Sequence, residues 1–195
     1  MPKTYSKKER EEIKNKLRKA ANDYLMEYGV KKTTVDLLVT TVGIPKGTFY
    51  LFYPNKEQLF FEVIMLLHNK IETEFMESLQ QADEHATLDE YVDIIMEAVK
   101  EASNTCIMRM MTDNEVLLMM NKLPKELLEE HMEQDNDMVI ELLKYIKPKK
   151  DVDIEVLSGA FRAVFLTLPY QRGIGEESYF ECFRMLVKGL LMQIV

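Results

Sequence analysis

Apolar residues mark one stripe at the start of the chain. Ile13, Leu17, Ala20, Ala21, Tyr24, Leu25 and Tyr28 recur at three- and four-residue spacing. That period predicts a first helix from Ser6 to Tyr28 with one face turned to a core, and Gly29 stops it. Thr33-Thr34-Val35-Asp36 supplies a threonine N-cap and a first-turn acid for a second helix. This helix carries Val35, Leu38, Val39 and Val42 inward and ends at Val42-Gly43. Pro45 stands where a first helical residue tolerates proline, and a third helix runs to about Tyr50. Pro54-Asn55 breaks the chain, and Asn55 caps a fourth helix that continues toward Ala82. Two short helices joined by a glycine-containing turn form a helix-turn-helix pattern. The third helix is too short to be stable alone, so its neighbours must hold it.

Beyond the fourth helix the same periods predict helices over 87–103, 105–121, 124–146, 152–168 and 176–194. Pro124, Lys147-Pro148-Lys149-Lys150 and Gly173-Ile174-Gly175 separate them. The last helix is apolar around most of its girth: Glu181, Arg184 and Lys188 form a single narrow polar stripe. The helix at 152–168 is similar, with Gly159, Ala160 and Ala163 small enough for close approach. Helices of this kind need cover on more than one side. A second copy of the chain, packed about a two-fold axis, supplies it economically. Gly159, Ala163, Phe180, Phe183, Val187, Leu190 and Leu191 are the candidate interface residues.

Composition fits this pattern. Only 7 Gly and 6 Pro punctuate 195 residues, and 47% are hydrophobic, enough for a sizeable core. No alternating β-branched run of any length appears, so the expected class is all-α, with about nine helices. The N-terminus has no apolar signal region, and no apolar run approaches the ~18 residues that span a bilayer. A cytoplasmic protein with no membrane partner is expected. Cys106 and Cys182 make no metal or redox motif, and His68, His85 and His131 are scattered without metal-ligand spacing. No cofactor is implied. No nucleophile–base pair or phosphate loop is visible, so an enzyme is not expected.

Charge changes the picture. The chain has a net charge of −8 overall, yet residues 1–56 carry 12 Lys and Arg against 6 Asp and Glu. A basic head on an acidic body suits a protein whose head alone meets a polyanion. The stretch GIPKGTFYLFYPNKEQLF, residues 43–60, gives that head a reading element. Lys46 and Thr48 are expected to point outward from the third helix, where lysine reaches guanine or phosphate and threonine a base edge. Gly47 costs up to about 1 kcal/mol relative to alanine in a helix interior, but lets the backbone approach a duplex. Tyr50 offers a hydroxyl to phosphate, Phe49 and Phe52 pack beneath, and Lys56 stands in the first turn of the fourth helix as a phosphate clamp.

The segment TTVDLLVTTVGIPKGTFYLFYPNKEQLF resembles the DNA-binding signature of the TetR family of bacterial transcriptional regulators. The close match covers about 30 residues. It implies a three-helix DNA-binding domain at 1–54 and a helical effector-binding and dimerisation domain at 55–195. It also implies a homodimer on a palindromic operator of double-stranded DNA, and a small-molecule effector. Carried over by position, the implied DNA contacts are Thr34, Lys46, Gly47, Thr48, Tyr50 and Lys56. The sequence departs from the pattern at Pro45, where a serine is usual, and at Phe52-Tyr53, where a Tyr/His–Phe pair is usual. Phe52 cannot donate to phosphate, and Tyr53 is a candidate substitute. The small alanines usual in the second helix read Val39, Thr41 and Val42.

Methionines concentrate at 108, 110, 111, 119 and 120, with Met96 and Met132 near in sequence. Methionine is flexible and polarizable and lines cavities for apolar ligands, though it also fills cores. Met96, Met108, Met111, Met119, Met120, Phe161 and Phe165 are the candidate pocket residues. Arg109 and Arg162 fall among apolar neighbours, where an internal acid is the commoner partner. The function expected is a ligand-responsive transcriptional repressor released from its operator by a small apolar effector. The alternative is a ligand-independent DNA-binding dimer whose C-terminal domain only dimerises.

Overall fold

The computed structural model describes residues 5–83, 85–112, 115–149, 151–175 and 177–195. Among these every regular element is a helix. The chain forms two compact units: one of residues 1–67 and 105–123, the other of 68–104 and 124–195.

The first unit begins with α1, Lys7–Lys32. Ser6 caps it through the Glu9 N–H while the Glu9 carboxylate accepts from the Ser6 N–H, a reciprocal capping box. The predicted stripe is its core face: Leu17, Ala20, Ala21 and Leu25 are buried. At Gly29 the helix is interrupted by φ 74° and ψ −175°, a conformation essentially reserved for glycine, and a last turn follows. α2, Val35–Val42, is capped by Thr34 Oγ1 accepting from Leu37 N–H, and α3 is the four residues Lys46–Phe49. α4, Lys56–Gln81, contributes residues up to Leu67 here, and Asn55 Oδ1 accepts from the Gln58 N–H at its start.

Within the segment 105–121, predicted as one helix, the described residues form α6, Cys106–Thr112, and α7, Glu115–Met120. Asp113 and Asn114 between them lie outside the described residues. α6 and α7 pack on α1. The Glu115 carboxylate accepts from the N–H groups of Val30 and Lys31, just past the interruption at Gly29. A Cβ on residue 29 would push that carboxylate off its hydrogen bonds, and the backbone conformation itself calls for glycine.

The second unit holds the rest of α4, then α5, Leu88–Ser103, α8, Lys125–Ile146, and α9, Ile154–Phe165. A 3-10 turn at Leu168–Tyr170, α10, Gln171–Ile174, and α11, Tyr179–Met192, complete it. The helix predicted to 168 stops at Phe165, ahead of Pro169, which lacks the N–H a continuing helix uses. α11 lays Tyr179, Phe183, Val187 and Leu191 against α5 and α9, where α5 supplies Val92, Ile95 and Val99. Arg184 pairs with Asp93, and Lys188 holds both oxygens of Asp89 at 2.8 Å, so α11 is tied to α5 at its polar edge as well.

Candidate nucleic-acid interface

The display of α3 is set by the turn before it. Gly43 is left-handed at φ 73°, and its N–H and that of Ile44 both donate to the Val39 carbonyl, at 2.9 and 3.0 Å. This ends α2, and Pro45 enters α3 extended, without a side-chain cap. With so few backbone bonds α3 cannot persist alone. Phe49 anchors it: the ring is fully buried, 5.8 Å from the Tyr53 ring. Burying a phenylalanine stabilises by about 1.5–3 kcal/mol, enough to hold one helical turn in place.

Helical geometry then decides which side chains face out. Lys46 and Tyr50 are four positions apart and share the exposed face, with Gly47 beside them and Leu51 next in line. Thr48 is two positions from Lys46, about 200° around the helix. Contrary to the expectation that it points outward, it is buried, and its Oγ1 lies 3.3 Å from the Tyr5 hydroxyl. Thr34 is exposed; its Oγ1 accepts from Leu37 N–H, which leaves its hydroxyl proton available to an outside acceptor.

Gly47 stands apart. A Cβ built there meets nothing within 4 Å, and its φ is not positive. Neither packing nor backbone conformation explains a glycine in this helix.

Three cations have partners that sequence spacing does not reveal. Lys46 pairs with Asp36 of α2 at 2.9 Å, an exposed bridge whose hydrogen bond and charge raise the Lys46 pKa and keep the ammonium charged. Lys56 does not stand free as a phosphate clamp: its ammonium donates to the Val30 and Thr33 carbonyls, both at 2.7 Å, fastening α4 to the end of α1. Burial pulls its pKa below the ordinary lysine value. Arg18 of α1 pairs with Glu62 of α4.

Tyr53 does not replace the hydroxyl missing at Phe52. It is buried against Phe49, and burial, together with Glu62, pushes its phenol pKa far up. The half-buried Phe52 ring lies instead under the Arg10 guanidinium, 4.9 Å from its centre. That contact adds a cation to this face by a cation–π interaction.

The candidate effector residues are divided between the two units. Met108, Met111, Met119 and Met120 belong to the first unit, with Met119 buried; Met96, Phe161 and Phe165 belong to the second, with Met96 and Phe161 buried in its core. None lines either of two open cavities. One, of about 400 Å³, is bordered by Ser78, Gln81 and Glu90; the other, of about 510 Å³, by Ile13, Val42 and Pro45. Arg162 faces an internal acid, Asp135, at 3.4 Å. Burial pushes the Cys106 thiol up to about 11, which makes it unreactive.

Among the candidate interface residues, Phe183, Val187 and Leu191 are consumed by the chain's own core, Gly159, Phe180 and Leu190 are half-buried, and Ala163 is exposed. The periodicity identified the apolar helices but not which side their own unit covers. The side left open carries Val156 of α9, Leu166 just past its end, and Met185, Leu186 and Met192 of α11, between 50% and 76% exposed.

Comparison with known proteins agrees with this geometry. Residues 17–63 match the family model described as bacterial regulatory proteins, tetR family. Over 65 residues the chain is 38% identical to the HTH-type transcriptional regulator YhgD of Bacillus subtilis (strain 168). That match spans 33% of this chain and only 30% of the relative's length. The fold as a whole is similar to that of Thermus thermophilus FadR, a TetR-family repressor in complex with lauroyl-CoA. The TM-score is 0.68 at 17% identity, over 91% of this chain and 93% of that one. A TetR-family regulator from Streptomyces coelicolor matches with a TM-score of 0.67 at 15% identity, covering 94% of this chain and 99% of its own. No described helix is long and apolar enough to cross a membrane.

Proposed function

We propose that this chain is a regulator of the TetR family, whose model its residues 17–63 match, and that it acts as a homodimeric repressor. Two copies of α3 enter successive major grooves of a palindromic operator, and a small apolar effector releases them. The observation that carries the proposal is the surface of α3. Lys46, Gly47 and Tyr50 are exposed together on a helix held from below by Phe49, and the glycine has no role within the chain. Thr34 donates its free hydroxyl proton to phosphate, setting register, while Lys46 leaves Asp36 for a base edge or a phosphate.

The open apolar side of α9 and α11 supports a second copy as its cover. Val156, Gly159, Ala163 and Leu166 follow one another at three- and four-residue spacing, as do Met185, Gly189 and Met192. A row of this kind, with small residues between large ones, suits a close helix–helix packing across a two-fold axis.

The effector assignment rests on the lauroyl-CoA complex of a protein with this fold and on the methionines of α6 and α7. These helices lie against α1, and Glu115 holds the Gly29 end of α1, so a ligand that displaces α6–α7 acts on the DNA-binding unit directly. It releases DNA only so far as it prefers the displaced state. The other reading is a dimer that binds DNA without a ligand, its second unit serving only to dimerise.

The test is in vitro selection of bound duplexes, then titration of the wild type and of Lys46→Ala and Tyr50→Ala on the selected sequence. A two-fold symmetric consensus is expected, with affinity falling steeply as salt rises and lost in both variants. A consensus without symmetry, or variants that bind as well as the wild type, would contradict the proposal. Release by acyl-CoA or other apolar ligands separates the effector-driven form from the ligand-independent one.

A further inference from the structure

Two of the three histidines, distant in sequence, meet in the second unit. His68 comes from α4; His131 and Asp135, four residues apart, share one face of α8. His68 Nε2 lies 3.5 Å from Asp135 Oδ1, and His131 Nδ1 lies 4.0 Å from the same oxygen. The two imidazoles are edge-to-face with centres 4.9 Å apart. One ligand atom from each of the three residues falls within a sphere of contacts no wider than 4.8 Å. Their side chains are between 16% and 31% exposed, sheltered but reachable.

We propose that His68, His131 and Asp135 form a binding site for a first-row divalent transition metal ion of the zinc–cobalt–nickel class. Four-coordinate zinc with nitrogen and oxygen ligands at ~2.0–2.2 Å sets those ligand atoms about 3.4 Å apart. The two histidine–carboxylate separations, 3.5 and 4.0 Å, lie within about 0.6 Å of that, and the widest pair, no more than 4.8 Å apart, closes by rotation of side chains over roughly 1 Å. Two imidazoles and one carboxylate select borderline metals over magnesium and calcium, which need oxygen shells. The second oxygen of the carboxylate is already engaged: Arg162 of α9 donates to Asp135 Oδ2 at 3.4 Å and leaves Oδ1 toward the histidines. An outer-shell contact of this kind fixes the direction in which a ligating carboxylate points. Three protein ligands leave a fourth position open to water or to a donor atom of a bound molecule. The site is independent of how α3 meets DNA. His85 stands outside it, on an exposed loop.

The test uses the full chain without a polyhistidine tag, stripped with chelator and dialysed. Titration with Co²⁺ is expected to give the visible bands of low-symmetry four- or five-coordinate cobalt, saturating at one ion per chain and displaced by Zn²⁺. His68→Gln and Asp135→Asn, checked for native helicity by circular dichroism, are expected to bind at least ~tenfold more weakly, and His85→Gln as well as the wild type. Should Asp135→Asn lose its fold, His131→Gln carries the same expectation. Absence of saturable cobalt binding by the wild type would overturn the proposal and leave the cluster an ion-pair network around Asp135. Binding that survives in folded His68→Gln and His131→Gln would overturn it equally.

Discussion

Gly47→Ala separates what the fold needs from what the partner needs. Nothing in the chain lies within 4 Å of the added methyl group, and the backbone there is not in the left-handed region. Alanine therefore fits without strain. It raises helix propensity and restricts the unfolded chain, a gain of about 0.4–1 kcal/mol for a compatible site. For a chain of this size each kcal/mol moves Tm by ~2–4 °C, so a rise of about 1–4 °C is expected by calorimetry. On DNA the same methyl group sits between the α3 backbone and the duplex. Backing α3 away from the groove weakens every contact it makes, and an affinity loss of at least tenfold, ~1.4 kcal/mol, is expected by fluorescence anisotropy on the selected duplex. One substitution thus stabilises the protein and impairs its binding. A fall in Tm would show that the fold itself requires Gly47. Unchanged affinity would show that this face of α3 does not meet DNA.

Three other outcomes follow from the packing. Glu115→Ala leaves the N–H groups of Val30 and Lys31 without their acceptor, and burial of an unsatisfied donor costs about 1–3 kcal/mol; a clear drop in the urea midpoint is expected, and an unchanged midpoint would rule out the capping role. Burial alone would raise the Glu62 pKa, but the hydrogen bonds and positive charge of Arg18, with Lys14 close by, outweigh it and hold the carboxyl below its ordinary value. Its contribution is therefore complete above the ordinary carboxylate pKa and lost as pH falls through the depressed one; Glu62→Gln is expected to flatten that acid limb in denaturation series from pH 6 to pH 3, and an unaltered limb would refute it. Met185→Glu places a charge on the open side of α11, where Met185 is 76% exposed; sedimentation equilibrium is expected to show monomers with unchanged helicity, and a persistent dimer would assign the interface elsewhere.

Local patterns reported the head well. The Ser6–Glu9 capping box, the stripe of Leu17, Ala21 and Leu25, Gly43 as the end of α2 and the brevity of α3 are all decided by neighbours in sequence. What periodicity could not report was the partner of each polar group. Lys46 pairs with Asp36 across the turn, and Lys56 turns to two carbonyls on the far side of Pro54. Thr48 was legible in principle, since two residues of helix separate it from Lys46 by more than half a turn. Tyr53 was not, because its side is chosen by where Phe49 and Arg18 lie. In α11 the period marked Phe183, Val187 and Leu191 as a row, but an almost fully apolar helix has no single inward side. Only the placement of α5 and α9 settles which row is covered. The histidines illustrate the same limit: His131 and Asp135 share a helix face, while His68 joins them through the packing of α4 with α8.

The central claim is that two copies of α3, presenting Lys46, Gly47 and Tyr50, occupy successive major grooves. Hydroxyl-radical footprinting on the selected duplex tests it most directly. Two protected tracts related by two-fold symmetry are predicted, their centres about one helical turn, ~34 Å, apart, and both are expected to vanish together with Lys46→Ala. A single protected tract, or two that persist in that variant, would contradict the claim.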